Sequence, residues 1–407
     1  MSRAVADVAI VGGGIVGLAV ARQLLMDRPE LRVVVLEQET ELATHQSGHN
    51  SGVLHAGLYY TPGSLKSRLC RDVKTMLEAY AIERGIPVQQ TGKLVVAIAE
   101  TELTRLDALR ARAELNGVPG LEMVEPARMK ELEPHVVGLR GLWSPTTGIV
   151  DFRKVALSYA DDVIALGGSI RTSWKVQKLG ETERECTLAG SGGDVVVARF
   201  VITCAGLWAD RVTNLSAAPP ARQDFRIVPF RGDYYTLIGS ARSLVNGLIY
   251  PVPDPRFPFL GVHFTRRHDG QVWAGPNAVL ALKRTGYKRK DVSARDLLDA
   301  ATYRGFLRLA AKHWRFGAAE MWRDISKRAF LADMRRYVPE LRSDQIRFGP
   351  SGVRAQALRA DGTLVDDFDF VASKRILHVR NAPSPAATAS LAIGRHLATH
   401  SEGLFDL

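Results

Sequence analysis

The chain has 407 residues, 46% hydrophobic and 24% charged, which is ordinary for a globular protein and enough for a large core divided between two lobes. No run of about 18 uninterrupted apolar residues occurs, so a transmembrane helix is excluded; Cys70, Cys186 and Cys204 lack metal-ligand or CxxC spacing, so no zinc site or disulfide framework is expected. The formal charge of +11 suits nucleic acid, an anionic membrane surface or anionic small molecules alike, because net charge reports long-range attraction and not fold.

Asp7 to Val11 is a short apolar run, followed at once by Gly12-Gly13-Gly14-Ile15-Val16-Gly17 and a helical pattern through Leu18, Val20, Ala21, Leu24 and Leu25. This predicts strand, tight glycine turn and helix. Gly12 permits the turn, Gly14 lets the backbone approach a pyrophosphate, and Gly17 allows helix to pack closely on strand. The helix N-terminus, at Ile15 and Val16, offers free N–H groups to an anion. A second strand, Arg32 to Leu36, ends in Glu37 and Gln38. A carboxylate there can accept hydrogen bonds from ribose hydroxyls and would repel a 2′-phosphate. The fingerprint itself does not separate FAD from NAD. The next segment, Thr44-His45-Gln46-Ser47-Gly48-His49-Asn50-Ser51-Gly52, is polar, small and glycine-broken, suited to a long cofactor lying against main chain. Met1-Ser2-Arg3 leads into the first strand without a signal-peptide pattern, so a reducing cytoplasm is the expected compartment.

Five dispersed runs then occur in order: Asn50 to Tyr60, Pro62 to Cys70, Tyr250 to Thr265, Ala274 to Tyr287 and Asn381 to Gly394. Together they resemble the L-2-hydroxyglutarate oxidase and dehydrogenase family, within the D-amino-acid oxidase-like flavoproteins, and the resemblance spans nearly the whole chain. It implies an α/β, two-lobed, Rossmann-type FAD-binding fold with an antiparallel-sheet substrate domain. It also implies noncovalent FAD and oxidation of L-2-hydroxyglutarate to 2-oxoglutarate. Val201 to Ala209 resembles a strand whose backbone passes the cofactor, which brings in Ala205, Gly206 and Trp208; Cys204 departs from the family pattern there. The stretch at Lys175 and Val176 resembles the strand that meets the adenine. Asn381-Ala382-Pro383-Ser384-Pro385-Ala386 opens a small-residue helix over Ala387 to Leu397, whose N-terminus can stabilise negative charge on a reduced flavin. His49, in Ser-Gly-His-Asn-Ser-Gly, loosely resembles a covalent attachment loop of sarcosine-type dehydrogenases.

Oxidising a 2-hydroxy acid by hydride transfer to flavin N5 needs a cation for the carboxylate, a base for the hydroxyl proton, and positioning of the α-hydrogen. Gly349-Pro350-Ser351-Gly352-Val353-Arg354 resembles the Gly-x-Arg turn of the amino-acid oxidases, whose arginine grips the substrate carboxylate; the chain continues Ala355-Gln356 where those enzymes often have Pro. Arg354 offers the planar fork for a bidentate contact. Among ten histidines the base is expected at His55, which also resembles the His-Gly-Gly of flavin-dependent glycerol-3-phosphate dehydrogenases. His263 is the second choice, on an apolar strand where a satisfied core histidine is the alternative. A distal carboxylate needs further donors, for which Tyr60, Lys66, Arg231 and Tyr250 are candidates, each also suited to packing at a domain seam.

The cofactor lobe is expected to be discontinuous, over residues 1–90, 150–220 and 345–407, with a substrate lobe over 91–149 and 221–344. Within the latter, Asp296 to Pro339 reads as a pair of amphipathic helices carrying Leu297, Leu298, Phe306, Leu309, Trp314, Phe316, Met321 and Trp322 among many basic residues. That surface suits peripheral contact with an anionic membrane on its cytoplasmic side and electron transfer to a quinone, with oxygen as the other acceptor. A glycine- or sarcosine-type amine oxidase shares the same fold, cofactor and Gly-x-Arg feature. A non-enzymatic nucleotide-fold binding protein is suggested by the basic charge alone, and no nucleic-acid recognition motif accompanies it.

Overall fold

In the computed structural model, residues 3–70, 73–216, 225–254 and 260–405 are described. The first strand, Arg3–Val11, lies at the centre of an eight-stranded sheet, parallel to Val33–Leu36 on one side and to Val195–Thr203 on the other. Ser169–Arg171 extends one edge, and Ile376–Asn381 pairs in parallel with the end of Val195–Thr203. Such parallel strands are covered on both faces and read as unbroken apolar runs, as the VAIV and VVVL segments do. On one face Val8, Ile10, Val33 and Val35 pack under the helices Ile15–Asp27, Phe152–Ala165 and Ser390–Phe405. On the other, Ala9, Val11 and Leu36 are covered by the antiparallel pair Val176–Glu181 and Cys186–Gly190. The helix at the C-terminus starts at Ser390, three residues later than its small-residue pattern predicts, because residues 384–389 form turns.

The second sheet has nine strands. Its spine is the long strand Phe225–Leu237, and its neighbours are antiparallel except where Leu248–Pro251 runs parallel to Lys93–Ala97. A small three-stranded sheet of Val53–Leu54, Val88–Gln90 and Gly148–Val150 stands beside them. The boundary expected at 345 is displaced: Ile346–Arg359 is hydrogen-bonded to Phe225–Leu237 in register from Phe225 opposite Arg359 to Leu237 opposite Ile346. The pairing shifts by one residue between Asp233 and Tyr235, but the strand belongs to the second sheet throughout, and the chain returns to the first only at Asp369–Ala372. Non-local strand pairing of this kind leaves no local mark in sequence.

The helical insertion is four short helices, Ala294–Ala301, Arg304–Lys312, Trp314–Ile325 and Lys327–Arg335, where the pattern suggested two. Local capping marks where the first and last of them begin: Ser293 accepts from the Asp296 amide and opens the insertion, and Ser326 accepts from the Ala329 amide and separates Lys327–Arg335 from the helix before it. Residues 255–259, inside the run from Tyr250 to Thr265, and the Cys70 side chain lie outside the described residues.

Candidate active site

A cavity of about 1060 Å³ opens at the carboxyl ends of the parallel strands and runs to the inner face of the second sheet. Its first half is a main-chain cradle. A Cβ on Gly12 would stand 2.3 Å from the Cys204 carbonyl oxygen, and one on Gly17 would stand 2.0 Å from the Gly12 carbonyl oxygen. Glycine is therefore required at both, for the turn and for helix-to-strand contact respectively. The helix that follows has no side-chain cap at Gly14, which leaves its first amides facing the cavity apart from Ile15, whose N–H donates to Ser47 Oγ at 3.0 Å. The Glu37 carboxylate accepts from the amides of Gly13 at 2.6 Å and Glu39 at 2.9 Å. Glu37 also lines the cavity.

Nearly all the sequence-predicted cofactor residues line this space: Gly12, Gly14, Ile15, Val16, Glu37, Gln38, Ser47, Asn50, Ser51 and Gly52 at one end. Val176, Ala205, Gly206, Trp208, Gly352, Val353, Asn381, Ser384, Pro385 and Ala386 complete it. Gly17 and Thr44 are not on the wall; Gly17 acts through packing. His49 stacks on Tyr287 with ring centroids 3.8 Å apart, and its Nδ1 lies 3.2 Å from the Ser351 carbonyl.

The far end gathers His55, Tyr59, Tyr60, Lys66, Tyr250, His263 and Arg354. His55 follows the strand Val53–Leu54, and its amide donates to Thr388 Oγ1 at 3.3 Å, tying this loop to the segment before the C-terminal helix. His263 opens the strand His263–Arg266 and stacks on Tyr250 at 4.0 Å. His263 Nδ1 lies 3.0 Å from the Gly261 carbonyl, so Nδ1 carries the proton and Nε2 is left as an acceptor. Burial pushes His263 down to about 3, with the cations Arg354 and Lys93 adding to the effect. Burial, then Lys93, then His263 hold His55 well below the usual histidine range. Both imidazoles are therefore neutral at pH 7 and able to accept a proton.

Arg354 is not in a turn, as its Gly-x-Arg context suggested, but inside the strand Ile346–Arg359, opposite Phe230. A strand side chain is aimed by the pleat, and this one reaches the cavity beside His263, Tyr250 and Tyr234. Arg231 is a correction. It is buried and does not line the cavity; its guanidinium pairs with Asp233 at 2.9 Å and with Asp324 at 3.3 Å, which ties the sheet to the helical insertion. Alternation explains the miss, since Arg231 and Gly232 face opposite sides of the sheet and Gly232 is the one on the cavity wall.

A profile of the family described as "FAD dependent oxidoreductase" matches residues 7–400. "L-2-hydroxyglutarate dehydrogenase, mitochondrial" of Caenorhabditis briggsae is 48% identical, over 98% of this chain and 94% of that protein. The Homo sapiens protein of the same name is 47% identical, over 98% and 89%. The chain belongs to the L-2-hydroxyglutarate dehydrogenase family of FAD-dependent oxidoreductases. The fold is that of a solved structure described as dithionite-reduced L-alpha-glycerophosphate oxidase from Mycoplasma pneumoniae with FAD bound, with a TM-score of 0.79, 21% identity, and coverage of 100% of this chain and 96% of that one.

The site fits the FAD of this family. The glycine cradle admits a pyrophosphate, Glu37 keeps acceptor capacity for a ribose, and Trp174 Nε1 on the wall is buried without a partner among the described residues. A buried, unpaired N–H is a site that a ligand satisfies. Family members acting on hydroxy acids also need donors and bases, and here sequence reasoning overlooked Tyr59, Tyr234 and Lys93. Lys93 heads the apolar strand Lys93–Ala97, and alternation with Val95 and Ala97 was the one signal that it points inward.

Proposed function

We propose that the protein oxidises L-2-hydroxyglutarate to 2-oxoglutarate, with its family's FAD as the group that accepts two electrons and the C2 hydrogen as hydride. The observation that carries this reading is the convergence of one guanidinium and two neutral imidazoles at the end of the cofactor cradle. Arg354 holds the carboxylate beside the reacting carbon through paired N–H donors. His55 accepts the C2 hydroxyl proton as the C2 hydrogen leaves, so the carbinol becomes a ketone with no charge stranded on oxygen. His263, its tautomer set by the Gly261 carbonyl, holds Tyr250 in place through the stacked rings. An amine oxidase would work on the same fold, but relatives at 48% and 47% identity are named for the hydroxy acid.

Anaerobic mixing of the yellow holoprotein with L-2-hydroxyglutarate, its D-enantiomer, L-malate and glycine tests this directly. Selective bleaching of the flavin band by the L-hydroxy diacid is the expected result; bleaching by glycine in its place would move the assignment to the amine oxidases.

Electron exit is proposed at the helical insertion. Leu298, Leu307, Trp314, Met321, Trp322 and Ile325 are more than half exposed, beside Arg304, Arg308, Lys312 and Arg315 on the same helices. Apolar and basic side chains together favour the surface of an anionic bilayer, where a quinone is available. None of the described helices is long and apolar enough to cross a membrane. The C. briggsae relative is named as mitochondrial. Sedimentation with phosphatidylglycerol vesicles but not phosphatidylcholine vesicles, abolished in Trp314→Ser/Trp322→Ser, is the expected outcome. Indifference to both vesicles would remove membrane contact and leave oxygen or a protein as acceptor.

A further inference from the structure

Lys93 is 1% exposed, in a strand that is otherwise apolar. Its ammonium lies 4.3 Å from the centre of the Tyr250 ring and 5.2 Å from that of Tyr59. Among the described residues it makes no ion pair with a carboxylate. Two aromatic faces offset part of the cost of burying a charge, but a buried ammonium without a counter-ion is held at a cost that an arriving anion removes. Tyr59 and Tyr250 both line the cavity, so the charge stands directly behind the wall they make. The Tyr59 hydroxyl is buried there and has no hydrogen-bond partner among the described residues. One tyrosine thus carries an unused donor and lies against a cation that no carboxylate among the described residues pairs, and both suit an acceptor with negative charge.

We propose that Tyr59 and Lys93 form the subsite for the distal carboxylate of the substrate, Tyr59 donating its hydroxyl hydrogen at the wall and Lys93 supplying the charge behind it. This rests on the diacid reading of the site and names the residues that select a diacid over a monoacid. His263 feels both Lys93 and Arg354, so both cations lie within electrostatic reach of one imidazole. Arg354 takes the carboxylate next to the reacting carbon, and Lys93 the other. The arrangement explains why Arg231, tied to Asp233 and Asp324, is not needed for the second charge.

The groups facing Lys93 set its pH behaviour. His55 and Tyr59 come from the loop after Val53–Leu54, Tyr250 from the adjoining strand, His263 from the strand beyond it, and Arg354 from Ile346–Arg359. The histidines are held neutral and burial pushes both tyrosines up, so none of these four changes charge near pH 7. Burial pushes Lys93 down to about 7. The ammonium is present below that pH and lost above it, so selection for the diacid weakens as pH rises.

The test is calorimetric titration of the holoprotein with 2-oxoglutarate and with 2-oxovalerate, which has the same chain length and no distal carboxylate. Wild type is expected to prefer the diacid. Lys93→Met is expected to weaken 2-oxoglutarate by about a hundredfold and 2-oxovalerate by about threefold or less, while Lys93→Arg keeps most of the preference. Tyr59→Phe is expected to cost about tenfold for the diacid alone. Equal weakening of both ligands in Lys93→Met would mean a packing role, and no weakening of either would mean no role; each overturns the subsite. Should Lys93→Met fail to fold, Tyr59→Phe and the wild-type pH series decide, and a preference flat from pH 6 to 9 overturns the proposal. Wild type binding both oxo acids alike would instead remove the diacid reading of the site, a result distinct from the failure of either variant.

Discussion

Replacing His55 with alanine is expected to slow flavin reduction by L-2-hydroxyglutarate by about 10²- to 10⁴-fold, with binding of 2-oxoglutarate nearly unchanged. A positioned general base contributes on that order, and it acts on the proton in transit rather than on the bound acid. The backbone at His55 is anchored by the strand Val53–Leu54 just before it and by the hydrogen bond from its own amide to Thr388 Oγ1, so alanine leaves the wall standing and removes only the imidazole. The pH dependence gives the second readout. Burial, Lys93 and His263 all push His55 down from 6.5, so the proton-accepting form persists through neutral pH. In wild type kcat/KM should therefore hold steady as pH falls through 6.5 and drop only at still lower pH. In His55→Ala that acid limb should disappear. A variant that lost activity tenfold or less, with the limb intact, would transfer the base to His263, whose Nε2 is the other free acceptor.

Arg354→Met is expected to lower kcat/KM by about 10²- to 10³-fold, most of it in KM. The guanidinium is the cation on the cavity wall beside His263, and truncating one partner of a desolvated charge pair costs about 2–5 kcal/mol. Arg354→Lys should recover little, because a point charge does not reproduce two parallel N–H donors. Stopped-flow reduction over a range of substrate concentrations separates binding from the chemical step. A loss confined to the limiting rate, with saturation unaltered, would show that Arg354 does not hold the carboxylate and acts on the transition state alone.

The sequence by itself determined the nucleotide-binding fingerprint of the cofactor half. Gly12, Gly14, Gly17 and Glu37 fall in one strand-turn-helix-strand stretch whose period is local, so they could be read from spacing. Family resemblance extends this to the later cofactor segments, to the fold and to the roles expected of His55 and Arg354, while its place on an apolar strand is what marks His263. What the tertiary structure alone decided is how side chains from distant segments face one another. Ile346–Arg359 joins the second sheet through pairing with a strand more than a hundred residues earlier, which aims Arg354 from a strand rather than a turn. The same sheet turns Arg231 away and puts Gly232 on the wall, a choice set by one step of pleat register. Lys93 shows the limit most clearly. In sequence it is one lysine before an apolar strand, and only the folding of Tyr59 and Tyr250 onto its ammonium reveals a buried charge that no carboxylate among the described residues neutralises. Backbone conformation follows from near neighbours and is legible in order along the chain. Burial and electrostatics depend on which residues meet across the fold, and the sequence does not state that pairing.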